Sequence, residues 1–226
     1  MNAGQALVRC RGAARAFGSG ETAVLALEPT ECQVFPGERI AVVGPSGSGK
    51  STLLHLMAGL DRPTIGSVEW PAIGTRADLR PGPVAMIFQG PSLLPPLTVD
   101  ENVALPLMLD GATAPQALGL ARAALARLGL EGLGDKLPEE ISGGQAQRSA
   151  VARALAGKPR LILADEPTGQ LDRASGAGLV DVLLAAAEDC GAALVVATHD
   201  PTVAERLHGR WEVRSGRLRI GVMEPA

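Results

Sequence analysis

Arg39-Ile-Ala-Val-Val-Gly-Pro-Ser-Gly-Ser-Gly-Lys-Ser51 joins a buried-type strand to a glycine-rich loop, and the loop to a helix. The run 39–43 is apolar after its arginine and follows the turn Pro36-Gly37, which predicts a strand. Beyond the loop, Leu53, Leu56, Met57 and Leu60 recur at i, i+3, i+4 and i+7, the spacing of one apolar helix face. Residues 44–51 match G-x-x-x-x-G-K-[ST] in the strand–loop–helix setting that gives the pattern its meaning. Glycines there let backbone N–H groups wrap phosphate oxygens, and the helix N-terminus adds positive potential. Gly44, Pro45, Ser46, Gly47, Ser48, Gly49, Lys50, Ser51 and Thr52 are therefore candidate nucleotide-binding residues. Lys50 offers a point charge to the β- and γ-phosphates, and the Ser51 hydroxyl can ligand Mg2+. The expected ligand is a nucleoside triphosphate.

Working outward, apolar runs and helical patterns alternate, the order expected of an α/β fold with a mostly parallel sheet. Residues 161–164 and 192–197 read as further buried strands, with a helix between them marked by Leu179, Leu183 and Ala186 and beginning near Arg173. Residues 84–88 form another strand, which makes Phe88 a core residue. The segment from about 91 to 157 is different. It has no clear strand, helical spacing over 114–130, and a second helix over 142–156 with Ser142 as its natural N-cap. It reads as a helical subdomain inserted in the sheet's sequence. Flanking β-type runs at 7–10, 23–27, 211–214 and 218–220 complete one domain over 1–226.

Composition narrows the class. With 226 residues, the chain can bury about 70% of its unfolded surface without disulfides or a structural metal. A net charge of −3 gives no basic bias, so nucleic acid is not an expected partner. Cys10, Cys32 and Cys190 lie far apart in the sequence and match no metal or redox spacing. The first residues lack the apolar stretch of a signal peptide, and nowhere do eighteen apolar residues run together. A soluble, cytoplasmic protein is expected.

Two acids, Asp165 and Glu166, end the strand at 161–164. Beside a phosphate loop they take separate roles, Asp165 holding magnesium and Glu166 acting as general base on water. Ile141-Ser-Gly-Gly-Gln145, followed by Ala-Gln-Arg148, places two glycines at a serine-capped helix N-terminus, a second anion site. This order resembles the ATP-binding-cassette (ABC) ATPases, whose signature loop reads LSGGQ. The resemblance extends over nearly the whole chain. It makes the fold a P-loop NTPase core with a mostly parallel sheet, an N-terminal antiparallel β part and an inserted helical subdomain.

The same resemblance assigns roles. Gln89 is similar to the Q-loop residue, a magnesium ligand linked to the membrane partner, and Thr198-His199-Asp200 to the switch-histidine loop. Gly169-Gln-Leu-Asp172 is similar to the D-loop. Glu166, His199 and Gln89 are the implied catalytic residues, and Ser51, Gln89 and Asp165 the implied metal ligands. Ser142, Gly143, Gly144, Gln145 and Asp172 join the nucleotide site, with Phe17 stacking on adenine; base–aromatic stacking is worth about 1–3 kcal/mol. The alternative for Phe17 is a core phenylalanine. In this family two copies sandwich two ATP molecules, each between one phosphate loop and the other copy's signature loop.

Gln89-Gly-Pro-Ser-Leu-Leu-Pro-Pro-Leu-Thr-Val-Asp-Glu-Asn-Val-Ala-Leu-Pro-Leu107 resembles the lipoprotein-release and macrolide-export group. That implies a separate integral membrane permease, a position on the inner face of the cell membrane, and export of lipoprotein, peptide or hydrophobic drug. A relative of the cell-division ABC ATPase, signalling to cell-wall hydrolases without transport, is the alternative. A soluble ABC ATPase acting on DNA or ribosomes fits less well, since the chain carries one cassette and neither coiled coils nor a basic surface. Ile141 and Gln170 depart mildly from the pattern, Ala146 interrupts the glutamine run, and the segment between Lys50 and Gln89 is shorter than in the family.

Overall fold

The computed structural model describes residues 4–90 and 92–221. Residues 1–3 of the N-terminal stretch, and Pro91 at the start of the inserted segment, lie outside the described residues. Two long strands, β1 (Val8–Phe17) and β2 (Val24–Val34), pair antiparallel. Then β3 (Arg39–Val43) feeds the glycine-rich loop and α1 (Lys50–Met57), and β4 (Ile65–Glu69) returns to the other side of β1. After β5 (Val84–Ile87) come three helices, α2 (Val99–Leu109), α3 (Ala114–Ala126) and α4 (Gly143–Ala156). The chain ends through β6 (Leu161–Asp165), α5 (Arg173–Asp189), β7 (Ala193–Thr198), α6 (Pro201–Ala204) and the hairpin β8 (Gly209–Arg214) to β9 (Arg217–Gly221).

Six strands form the main sheet in the order β5-β6-β7-β3-β8-β9, with only β9 antiparallel. A smaller antiparallel sheet has the order β2-β1-β4. A parallel sheet must be covered on both faces, which is why its strands read as continuous apolar runs. The two-residue side-chain period sorts those runs into two cores. Ile40, Val42, Leu161, Leu163 and Val195 meet α1 and the small sheet on one face. Ala41, Val43, Ile162, Ala164, Leu194 and Val196 meet the helices α2 to α5 on the other. Each fully buried Leu or Val contributes about 1.5–3 kcal/mol of transfer free energy.

The architecture is the α/β arrangement expected, and several local readings need correction. Leu60 is exposed, not on the buried face of α1, because the helix ends earlier: Gly59 N–H donates to Leu56 O and Leu60 N–H to His55 O, turning the chain away. The helix expected to reach 130 stops at Ala126. Phe88 is not core. It lies one residue past β5 and is half-buried, its ring 6.2 Å from that of His55. Cys10 and Cys32, far apart in sequence, are cross-strand partners in the small sheet. Hydrogen bonding to Cys10 and burial push the Cys32 thiol far above its ordinary pKa, so it is held as a neutral thiol.

β4, α2 and the short α6 had no prior assignment. The short excursion after α1 supplies β4, and α2 begins at a capping box in which Thr98 Oγ1 accepts from Glu101 N–H and Glu101 reaches back to Thr98 N–H.

Candidate functional site

Because β5, β6, β7 and β3 are parallel neighbours, the loops leaving their C-terminal ends share one edge of the sheet. From β5 comes Gln89, from β6 Asp165 and Glu166, from β7 Thr198 and His199, and from β3 the phosphate loop. Ligands of open α/β sheets bind at this edge.

The phosphate loop is built so tightly that two of its glycines cannot carry a side chain. A Cβ at Gly44 would stand 2.1 Å from the Val213 carbonyl oxygen, and one at Gly49 2.4 Å from that of Ala26. Gly49 also sits at φ +110°. Pro45, Ser46 and Gly47 are exposed at the tip, whereas Ser48 is buried and its Oγ has no partner. Thr52 is half-buried in the first turn of α1. Lys50, 5% exposed, donates to Gly44 O at 2.9 Å and Pro45 O at 3.1 Å and stands 3.5 Å from Glu166 Oε1.

Glu166 in turn joins the phosphate loop to the switch loop. Its Oε2 lies 2.8 Å from His199 Nδ1 and accepts from His199 N–H at 3.4 Å. A carboxylate oxygen that carries no proton only accepts, so as its partner His199 needs the tautomer with a proton on Nδ1. Glu166 also holds φ +45°, a left-handed conformation costly for a side chain with a Cβ and typical of functional positions. Main-chain bonds fix it there, Glu166 N–H to Ala197 O and Gly169 N–H to Glu166 O.

Asp165 is 5% exposed and its Oδ1 has no hydrogen-bond partner among the described residues. Burial pushes its carboxyl above the ordinary value, opposed by a hydrogen bond from Ser51 and the positive fields of His55 and Lys50. A buried, half-satisfied carboxylate beside a serine hydroxyl is a set of hard oxygen donors that suits magnesium.

The signature segment is arranged differently. Ser142 Oγ accepts from Gln145 N–H at 3.2 Å while Gln145 Oε1 accepts from Ser142 N–H at 2.8 Å, a capping box closed on its own helix. Ser142 and Gly143 are exposed, and a Cβ at Gly144 would approach Leu171 at 3.3 Å. Among the described residues, no hydrogen bond or ion pair joins 142–145 to the phosphate loop. Asp172 caps α5, accepting from Ala174 and Ser175 N–H at 3.0 Å each. Gln89 is exposed beyond β5. Phe17 is 45% exposed, which removes the core reading, and the Arg15 guanidinium lies 4.4 Å over its ring.

Two residues at the site were not singled out in the sequence. One is His55 on α1, whose field acts on Asp165. Gln147, fully buried, donates to main-chain oxygens of Phe88 and Pro167. Its signal was present: Gln147, Ala150 and Val151 share the buried face of α4, and a glutamine on an apolar face needs partners.

The comparisons with known proteins agree with this geometry. A family model described as ABC transporter matches residues 27–169. The lipoprotein-releasing system ATP-binding protein LolD of Shewanella oneidensis is 39% identical over 95% of this chain and 96% of its own length. The protein of the same description from Legionella pneumophila is 41% identical over 90% of this chain and 93% of its own. Among solved structures, a dimeric bacterial ABC transporter cassette is 34% identical with a TM-score of 0.87, covering 94% of this chain and 98% of that one. A dimeric cassette in a post-hydrolysis state bound to ADP and Pi is 33% identical, with a TM-score of 0.86 and the same coverage.

Proposed function

The chain belongs to the ABC transporter family as an ATP-binding, ATP-hydrolysing subunit, and on that premise we propose that it drives release or export of lipoproteins or similar lipophilic cargo through a separate membrane permease. Two copies close around two ATP molecules. Each nucleotide lies between residues 44–52 of one copy and Ser142, Gly143, Gly144 and Gln145 of the other, with Asp172 at the same junction and Phe17 stacked on adenine. The observation that carries this reading is the split site: the sheet-edge residues engage one another, while among the described residues the Ser142 and Gln145 side chains at the start of α4 hydrogen-bond to each other's main chain and not to the phosphate loop.

In the proposed reaction Glu166 accepts a proton from the attacking water, positioned by His199 across their 2.8 Å contact. Lys50 leaves its own loop's carbonyls to neutralise phosphate charge, and the exposed backbone of 45–47 wraps the phosphate oxygens. Ser51, Asp165 and Gln89 are the proposed magnesium ligands; the bound ion supplies charge neutralisation across the phosphates.

Among the described residues no helix is long and apolar enough to cross a membrane, and in the proposed reading the energy of hydrolysis passes to a separate permease. A groove of about 470 Å³ between β5, α2 and α4 supports a docking place. Met86, Leu105 and Leu109 give it an apolar floor, while Asp110 and the arginines Arg80 and Arg153, which donate to Ala58 O and to Ser92, make its rim polar. That chemistry fits a short amphipathic helix, contributed by the permease from the inner face of the cell membrane.

The test is capture from membranes by the Glu166→Gln protein with ATP, with and without Leu109→Asp. Recovery of an integral membrane protein with a large external domain, lost on Leu109→Asp, is expected. Recovery of soluble proteins or nucleic acid alone would contradict the reading.

A further inference from the structure

Gln147 is 0% exposed, two residues past the signature loop. Its Nε2 donates to Phe88 O at 3.1 Å and Pro167 O at 3.3 Å. Both neighbours of that nitrogen are carbonyl oxygens, which fixes the amide's orientation, because only the NH2 end can donate to both. Phe88 directly precedes Gln89, and Pro167 directly follows Glu166. One side chain therefore holds the main chain of both loops from the helix whose first turn is the signature segment.

The other end of the amide makes this more than packing. Gln147 Oε1 is buried without a hydrogen-bond partner among the described residues. A buried glutamine is unfavourable unless its polar atoms are satisfied, and an apolar side chain of the same size would avoid the orphaned acceptor. The two donated bonds are what the amide provides that an apolar residue cannot.

We propose that Gln147 is a positioning residue for ATP hydrolysis: it locks the loops of Gln89 and Glu166 to α4, so that movement of the signature helix is transmitted to both at once. This rests on the catalytic assignments proposed above. Gln147 touches neither nucleotide nor the reacting water. It acts through the placement of Gln89 and Glu166, and its loss should lower turnover without loosening the phosphate loop, which α4 does not hold.

The experiment measures kcat for ATP hydrolysis and, separately, ATP affinity by calorimetric titration without magnesium, in the full chain and in Gln147→Met. The expected result is a fall in kcat of tenfold or more, with magnesium-free ATP affinity within twofold of the parent. A kcat within twofold of the parent would overturn the proposal, as would a fall in kcat matched by an equal loss of magnesium-free affinity, the pattern of general loosening. If Gln147→Met does not fold, the same two measurements on Gln147→Asn decide, since asparagine keeps the amide but is too short to reach both carbonyls. If neither folds, Gln147 is a structural support only and the proposal falls. A parent protein that does not hydrolyse ATP would instead refute the functional reading, whatever Gln147 does.

Discussion

The sheet edge and the start of α4 are the two proposed anion sites, yet they are finished to different degrees. At the sheet edge, Lys50, Glu166 and His199 form a connected chain with buried members, and Asp165 is paired with Ser51. At α4, Ser142 and Gln145 satisfy each other and leave an exposed helix N-terminus. The first region is organised within one chain, whereas the second presents donors that its own phosphate loop does not use. In the proposed reading a site divided in this way is completed by a second copy, and ATP bound between the copies is the condition for their association.

Four changes break or sharpen that contrast. The largest effect is expected from Glu166→Gln. Loss of the base should cut turnover by roughly 10²- to 10⁴-fold while ATP still binds, measured by phosphate release and nucleotide titration. Leu163→Ala tests the scaffold beneath the edge: it truncates a fully buried side chain of β6 and should cost about 2–5 kcal/mol in denaturant unfolding. Lys50→Ala should weaken ATP binding by about tenfold, or ~1.4 kcal/mol, in contrast to Glu166→Gln. Ser142→Ala removes the α4 cap and should cost about 1 kcal/mol of stability. It should leave ATP binding to a single copy unchanged and weaken ATP-driven association.

The buried edge also carries a pH signature. Burial raises the Asp165 pKa in the folded chain above its unfolded value. The folded state therefore holds that proton to higher pH than the unfolded state does. This contribution to stability is full below the unfolded pKa and is lost as pH rises through the folded one. Asp165→Asn, which has no proton to release there, should lose this fall in stability between the unfolded and folded pKa and be the more stable protein at neutral pH, while losing magnesium-dependent turnover. A melting temperature at neutral pH below that of the parent would contradict this electrostatic account.

Much of this contrast was readable from residue order. Continuous apolar runs announced β3, β6 and β7, and the glycine pattern located the phosphate loop, because both signals are local. What escaped depends on contacts distant in sequence. The register of β1 on β2 that brings Cys10 to Cys32 leaves no trace in their spacing. Phe88 was misread because strand β5 ends one residue early and the chain turns its ring toward His55. Lys50 and Glu166 were each legible as site residues, but their 3.5 Å approach exists only because β3 and β6 flank β7. Phe17 could have been core or surface from its sequence, and the exposed end of β1 settles that choice. Gln147 was visible as a polar residue on an apolar helix face, whereas its two acceptors lie 59 and 20 residues away.

The central claim is that two copies are needed to complete one nucleotide site, and the mass of the Glu166→Gln protein in solution tests it most directly. Light scattering with size exclusion should show a monomer without nucleotide and a dimer with saturating ATP and magnesium, the dimer weakened by adding Ser142→Ala. A Glu166→Gln chain that binds ATP stoichiometrically and remains monomeric would contradict the account.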